Sequence, residues 1–550
     1  MLRMNRILLY GVPAILTVLA FSLIGRGVLQ AQEDETLALP KELSQREVTF
    51  HVLNRLAFGP QPGQVDEVLR KGWQLWIMEQ LEPDQIDDGK LEAEIRKRFP
   101  SMRMSMGEVL QEYRPRYKNR PPSRQEQRLR NQMRGKVRNE LRYAVLLRAV
   151  KSRRQFQEVM VEFWRNHFNV DQSKDQVSYL ANHYEEHVLR KHVFGRFGDM
   201  LMASAKHPAM LIYLDNSLSQ RPPTKQEQKA MDQAKKKGKS SPYLKKLSRQ
   251  RGLNENYARE LFELHTFGVA QENRSGGYTQ KDIVELARAL TGWTVTYGQN
   301  ADYGFQFSKK VHDDRPKKIM GRRFSGRDGI REGEVLIQGL ANHRNTALFI
   351  SKKLCKYLVN DRPSEELVQN VAKVFLKSKG DLKKVYSAIL FSPDFLKREN
   401  FRAKFKTPFE FAVSAMRATG ADLVDPKDTD KMLGSMGQKI YQCDDPTGYY
   451  DVAEAWLDPG VLVHRWTFAL TVAGGRARGV VMPRDYYLPI LGLQPKAMKA
   501  RLIDTILPGG VDLRTDRVLE QAIQVDAKNR RALASKILGM LLGSPTFQQQ

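Results

Sequence analysis

Along most of this chain the apolar positions recur every three to four residues, the spacing that gathers side chains on one face of a helix. In NENYARELFELHTFGV, residues 254–269, the period places Tyr257, Ala258, Leu261, Phe262, Leu264 and His265 on one side. Glu255, Asn256, Arg259, Glu260 and Glu263 fall on the other, which makes an amphipathic helix with a dense ionic face. Ser275, Gly276 and Gly277 break the pattern, and Thr279 with Asp282 three residues on offers a capping-box start for a second helix. Ile283, Leu286, Leu290 and Trp293 stripe that helix, so the two segments predict a helical hairpin over 254–293. The same period runs through QFQEVMVEFWRNHFNV from Gln155 and HYEEHVLRKHVFGRFGDMLMASAKHPAMLIYL from His183, and it returns from Glu334 onward. No alternating β-branched run is long enough for an extended sheet, although YGFQFSKK at 303–310 fits a small strand pair. The predicted class is all-α: mostly helical, with loop-rich excursions and at most a small β-hairpin.

Two stretches interrupt the helices. Residues 297–333 are Gly-rich and irregular. Residues 421–460 carry QKIYQCDDPTGYYDVAEAW, whose Asp444, Asp445, Gly448 and paired tyrosines suit a loop bordering a ligand pocket. Two short apolar helices end alike, in SPDF at Phe395 and SPTF at Phe547, where Ser suits an N-cap and Pro the first position of a new turn.

The first residues follow a different pattern. Arg3 and Arg6 precede an apolar run from Ile7 to Gly25, then Arg26 and a cleavage position after Ala31, the outline of an export leader. Gly11 and Pro13 interrupt the run and favour cleavage; an uncleaved anchor is the alternative, since the run approaches the ~20 residues that span a bilayer. Residues 1–31 are therefore read as leader or anchor and 45–550 as a helical domain in the periplasm or cell envelope. With 41% hydrophobic and 28% charged residues the chain can bury a sizeable core. Cys355 and Cys443 are expected as buried thiols, a disulfide being allowed by export but not implied.

Net charge is +28, and much of it is concentrated in two basic insertions at about 113–142 and 218–251, both expected as exposed segments or solvated helices. Neither interleaves aromatic residues for base stacking, which argues against nucleic acid; export points instead to anionic lipid or polysaccharide.

Candidate chemistry centres on the hairpin, where Glu260, Glu263 and Arg259 could converge on a ligand instead of lying on a solvated face laced with i, i+4 pairs. The loop pair His312 and Asp313 adds a candidate acid–base or cation-binding unit. HYEEH, His183 to His187, matches an inverted zinc-protease pattern, but five residues recur easily by chance and an exposed charged helix is the preferred reading. Glu263 and His265 are two apart and point apart on a helix, so a divalent metal would need His167, His192, His207 or His343. There is no G-x-S-x-G elbow, no P-loop and no dinucleotide fingerprint.

LNRLAFGP at 53, FWRNHFNV at 163, HPAMLIYLDN at 207, the two hairpin strings, LANHRNTALFISKKL at 340, KFKTPFEFAVSAMRATGA at 404, AWLDPGVLVHRW at 455 and SPTF at 544 follow in order. In this the chain resembles the bacterial family called domain of unknown function 1800. The resemblance implies a helical, exported protein, and a partner from another exported family, domain of unknown function 1501, whose genes often lie beside it. The functional expectation is a cell-envelope binding or assembly component with its polar centre on the hairpin. The alternative is a metal-dependent hydrolase using clustered Glu and His.

Overall fold

Where the helices start is set largely by capping. Ser44 with Glu47, Ser105 with Glu108, Ser123 with Glu126, Thr279 with Asp282 and Thr407 with Glu410 each form a reciprocal capping box. The computed structural model describes residues 42–114, 121–236, 252–296, 303–526 and 529–550. The expected leader, 1–31, and residues 237–251 of the second basic insertion lie outside the described residues.

The fold is all-α, with three two-stranded antiparallel sheets among the described residues. Trp293–Val295 pairs with Phe305–Phe307, where the alternation at 303–310 places a strand. Lys317–Ile319 with Arg322–Phe324 and Asp422–Leu423 with Val480–Val481 form the other two. They were not legible because strands of two or three residues are too short to show a period.

Two helices lie at the centre. Every residue of Pro408–Ala418 is buried, as its near-continuous apolar sequence dictates. Gln155–His167 reads as amphipathic, yet only Glu162 and Asn166 retain partial exposure. Its buried charged residues each meet an opposite charge: Glu158 accepts from Arg190 at 2.6 and 2.8 Å, and Arg165 donates to Glu185 at 2.8 and 3.1 Å. On the apolar side Trp164 donates to the Tyr386 hydroxyl at 2.7 Å, and that hydroxyl donates to the Val193 carbonyl at 2.9 Å.

This packing corrects the picture of HYEEH as an exposed charged helix. Glu185 is fully buried against Arg165, and Glu186 pairs with Arg148 at 2.5 Å. A count of charges cannot distinguish solvent from a buried cation as their partner. The first basic insertion departs from expectation for a similar reason. Its helix, Arg124–Lys151, begins in solvent but buries Val137, Glu140 and Leu141, with Glu140 accepting from the Ser101 amide and hydroxyl. In the second insertion a helix spans Lys225–Lys236.

Cys355 and Cys443 are free, buried thiols. Both Ser-Pro-x-Phe junctions use the serine as expected: Ser392 and Ser544 accept from the Phe395 and Phe547 amides. The hairpin forms with the expected buried face, but its first helix changes pitch. Asn256–Glu260 is α-helical and Leu261–Thr266 widens to a π-turn, in which the Phe267 amide reaches the Phe262 carbonyl at 2.8 Å. The extra residue shifts the phase, so Leu264 is only half-buried.

A candidate ligand cleft beneath the Gly448 loop

Phe349, Lys353, Lys356 and Tyr357, all half-exposed along Arg344–Leu358, follow the spacing of one helical face. That face is one wall of a cleft of about 320 Å³. Glu162, Phe163, Asn166 and His167 from the central helix form the second wall, and Thr407 and Glu410 at the start of Pro408–Ala418 lie at its base. Leu264 of the π-turn closes one side, and the loop Thr447–Asp451 covers the top.

The loop is pinned by a reciprocal pair: Asn166 donates to the Tyr449 carbonyl at 2.8 Å and accepts from the Tyr449 amide at 2.7 Å. Such close approach requires glycine beforehand. Gly448 has φ +76°, and a Cβ there would stand 2.3 Å from the Asn166 carbonyl oxygen. The Tyr449 hydroxyl folds back to donate to the Lys439 carbonyl at 3.0 Å, while the neighbouring Tyr450 is 69% exposed at the rim. Asp451 is tied down by Lys404, whose ammonium bridges it to Asp361 at 2.7 Å each.

The electrostatics are uneven. Burial pushes Lys353 down to about 8, and its Nζ donates to Nδ1 of His167 at 3.0 Å. His167 itself is held well below the usual histidine range, by burial first and the Lys353 charge second. It is therefore neutral, and a donor at Nδ1 assigns its own proton to the buried Nε2. Glu162 is pushed up by burial against the pull of Arg165, which contacts it directly. One cleft thus carries a carboxyl biased toward its protonated form and an amine biased toward its neutral form, the polarity general acid–base chemistry needs.

The residues singled out in the sequence occupy other positions. Arg259, Glu260 and Glu263 do come together: Arg259 donates to Glu263 at 3.0 Å and to Gln280. Glu260, half-buried, is pushed up to about 7 by burial, by Glu263 and by Asp445, so the hairpin faces the same 444–451 loop from outside the cleft. His312 and Asp313 join the hairpin through Arg288, which donates to Asp313 at 2.9 and 3.2 Å and to Glu285 at 2.9 Å. Arg315 also pairs with Asp313, and the two arginines hold its carboxyl well below the usual carboxylate range despite burial. Behind this knot Lys317 and Glu332 pair at 2.7 Å with no exposure at all.

Of the candidate metal ligands, His167 lies in the cleft wall. His207 and His343 each cap a helix with Nδ1, accepting from the Ala209 and Asn345 amides. His207 also meets His183 at 2.9 Å, while His192 is half-exposed beside Lys191. Among the described residues no three His, Cys, Asp or Glu side chains are grouped to hold a metal ion. The residues the sequence reading missed are Glu162, Lys353 and Glu410, whereas Tyr450 belongs to the loop expected to border a pocket. Their signal was present, because FWRNHFNV, LFISKKL, KTPFEF and the DDPTGYYD loop are separate strings that meet only in three dimensions.

Fold and site together define a class: an all-α protein in which a glycine-hinged loop closes a mixed polar and aromatic cleft over a buried central helix. The chain belongs to the family described as Protein of unknown function (DUF1800), whose model matches residues 51–549. No curated protein and no solved structure matches it.

Proposed function

We propose that this is an exported, envelope-associated protein that binds a small polar molecule in the cleft between Glu162, Lys353, Glu410 and Tyr450. One observation carries the reading: five stretches separated in sequence supply the walls of a single cavity, about 320 Å³, within the ~300–1,000 Å³ typical of ligand pockets. The exposed Tyr450 ring offers a stacking face at its mouth, and Lys353 and Lys356 offer donors. Export is supported by the charged, apolar and small segments of residues 1–31, and the mature chain should begin near Gln32 when recovered from the envelope fraction. The +28 charge supports association with anionic lipid or polysaccharide, and an exported partner of the domain of unknown function 1501 family fits the same location.

The test is a thermal-shift panel of monosaccharides, amino acids and short-chain oxo acids against the purified chain. Stabilisation by at least one class, lost in Asn166→Ala and Tyr450→Ala, is the expected result. A ligand that stabilises these variants as well as the parent would place its site elsewhere.

A second reading is hydrolysis in the same cleft, favoured by the opposed shifts of Glu162 and Lys353. Its metal-dependent form predicts a stoichiometric divalent ion in the purified chain, measured by elemental analysis.

A further inference from the structure

Several buried lysines in this protein are enclosed by fixed partners. Lys317 pairs with Glu332, and Lys404 lies between Asp361 and Asp451. Lys406, pushed down to about 7 by burial, donates to the Ser414 hydroxyl and the Phe547 carbonyl and lies over the Phe547 ring. Lys353 differs from all three. It lines the cleft, its hydrogen-bond partner is the His167 imidazole, Asp451 of the covering loop attracts its charge while Lys356 opposes it, and the Phe349 ring lies 5.7 Å away. An amine in such surroundings loses little solvation when it gives up its proton, and a neutral lysine beside a cavity is a nucleophile.

We propose that Lys353 captures a carbonyl compound, an aldehyde or ketone small enough for the cleft, as an imine; this rests on the reading of the cleft as a ligand site. The neutral Nζ attacks the carbonyl carbon, a C–N bond forms as the C–O π bond breaks, and a proton moves from nitrogen to oxygen to give a carbinolamine. The nitrogen lone pair then expels the hydroxyl, which takes up a proton and leaves as water. Glu162, in the same cleft and biased toward its protonated form, is the group to supply that proton and to recover one from the iminium nitrogen. Amine and carbonyl become imine and water with no change in oxidation state.

The experiment uses the full-length purified chain with pyruvate or glyceraldehyde in the presence of cyanoborohydride, followed by peptide mass spectrometry. Lys352, the exposed neighbour, is the internal control, and Lys406, shifted but walled off, is the second. At pH 7 a lysine at about 8 holds on the order of 100-fold more neutral amine than one at the ordinary ~10.4. Lys353 should therefore be modified at least about 10-fold faster than Lys352, with Lys406 unmodified and the advantage shrinking as pH rises toward 10. Glu162→Gln should slow the capture, and Lys353→Met should abolish it. If Lys353→Met fails to fold, the ratio within the parent protein still decides. Equal rates at Lys353 and Lys352 overturn the proposal. If a panel compound nevertheless stabilises the parent and not Tyr450→Ala, the cleft remains the ligand site and only the imine is lost. If neither labelling nor stabilisation occurs, both readings fall.

Discussion

The 254–293 hairpin and the cleft beside Gln155–His167 are both rich in charged groups, and they use them in opposite ways. Around Asp313, on the side of the hairpin's second helix, the charges are saturated. Arg288 divides its donors between Glu285 and Asp313, Arg315 adds to Asp313, and Lys317 is buried against Glu332. In the cleft Lys353 hydrogen-bonds an uncharged ring, with Asp451 attracting its charge without an ion pair, and Glu162 shares its arginine with Glu185. A saturated network fixes geometry and has little left with which to bind. An unsaturated one is costly to fold around and keeps its chemistry available.

The comparison breaks most readily at Lys317. Glu332→Ala leaves a wholly buried ammonium without its partner, and denaturant unfolding should show a loss on the order of 3–5 kcal/mol. A loss below about 1 kcal/mol would mean that the knot is solvated, and the contrast with the cleft would fail.

Lys353→Met should behave oppositely, leaving stability unchanged or raising it, because it removes a cation that burial disfavours. The pH dependence carries the sign. Lys353 is lowered in the fold, so between about 8 and the ordinary ~10.4 the unfolded chain binds the extra proton and the parent gains stability as pH rises. Lys353→Met should lack that increment. Since Lys406 titrates in both proteins, the difference between their two pH profiles isolates Lys353.

Glu260→Gln should have the smallest effect. Glu260 is raised to about 7, so in the parent the folded state holds the extra proton between about 4.5 and 7, and stability falls as pH rises through that window. The amide removes this fall. At pH 8 the variant should be as stable as the parent or better by less than about 1 kcal/mol, the screening of a half-exposed group included, and at pH 4.5 the two should coincide. Lost ligand binding with stability kept would extend the functional site to the hairpin.

Much of the fold could be read from the sequence because capping and helical periodicity are local. Thr279 with Asp282, the Ser-Pro-x-Phe turns and the buried face of 254–269 form as their spacing requires. What could not be read depends on partners distant in sequence. Glu185 appears as a surface charge until Arg165, twenty positions earlier, is seen to bury with it. The π-turn that releases Leu264 into the cleft has no periodic signature, because one added residue alters the phase without altering the composition. Carboxylate density directed attention to Glu260 and Glu263. The cleft instead draws one or two side chains from each of several segments, and Lys353 in particular is indistinguishable by sequence from the exposed Lys352 beside it.

The most direct test of the unsaturated cleft is the titration of Lys353 itself. Reductive methylation with isotopically labelled formaldehyde followed by heteronuclear NMR gives one resonance per lysine, and the Lys353→Met spectrum assigns the missing one. A lysine titrating near 8, absent from the variant, is the predicted result. If the assigned resonance titrates near ~10.4 with the surface lysines, Lys353 is an ordinary solvated ammonium and the central contrast is wrong.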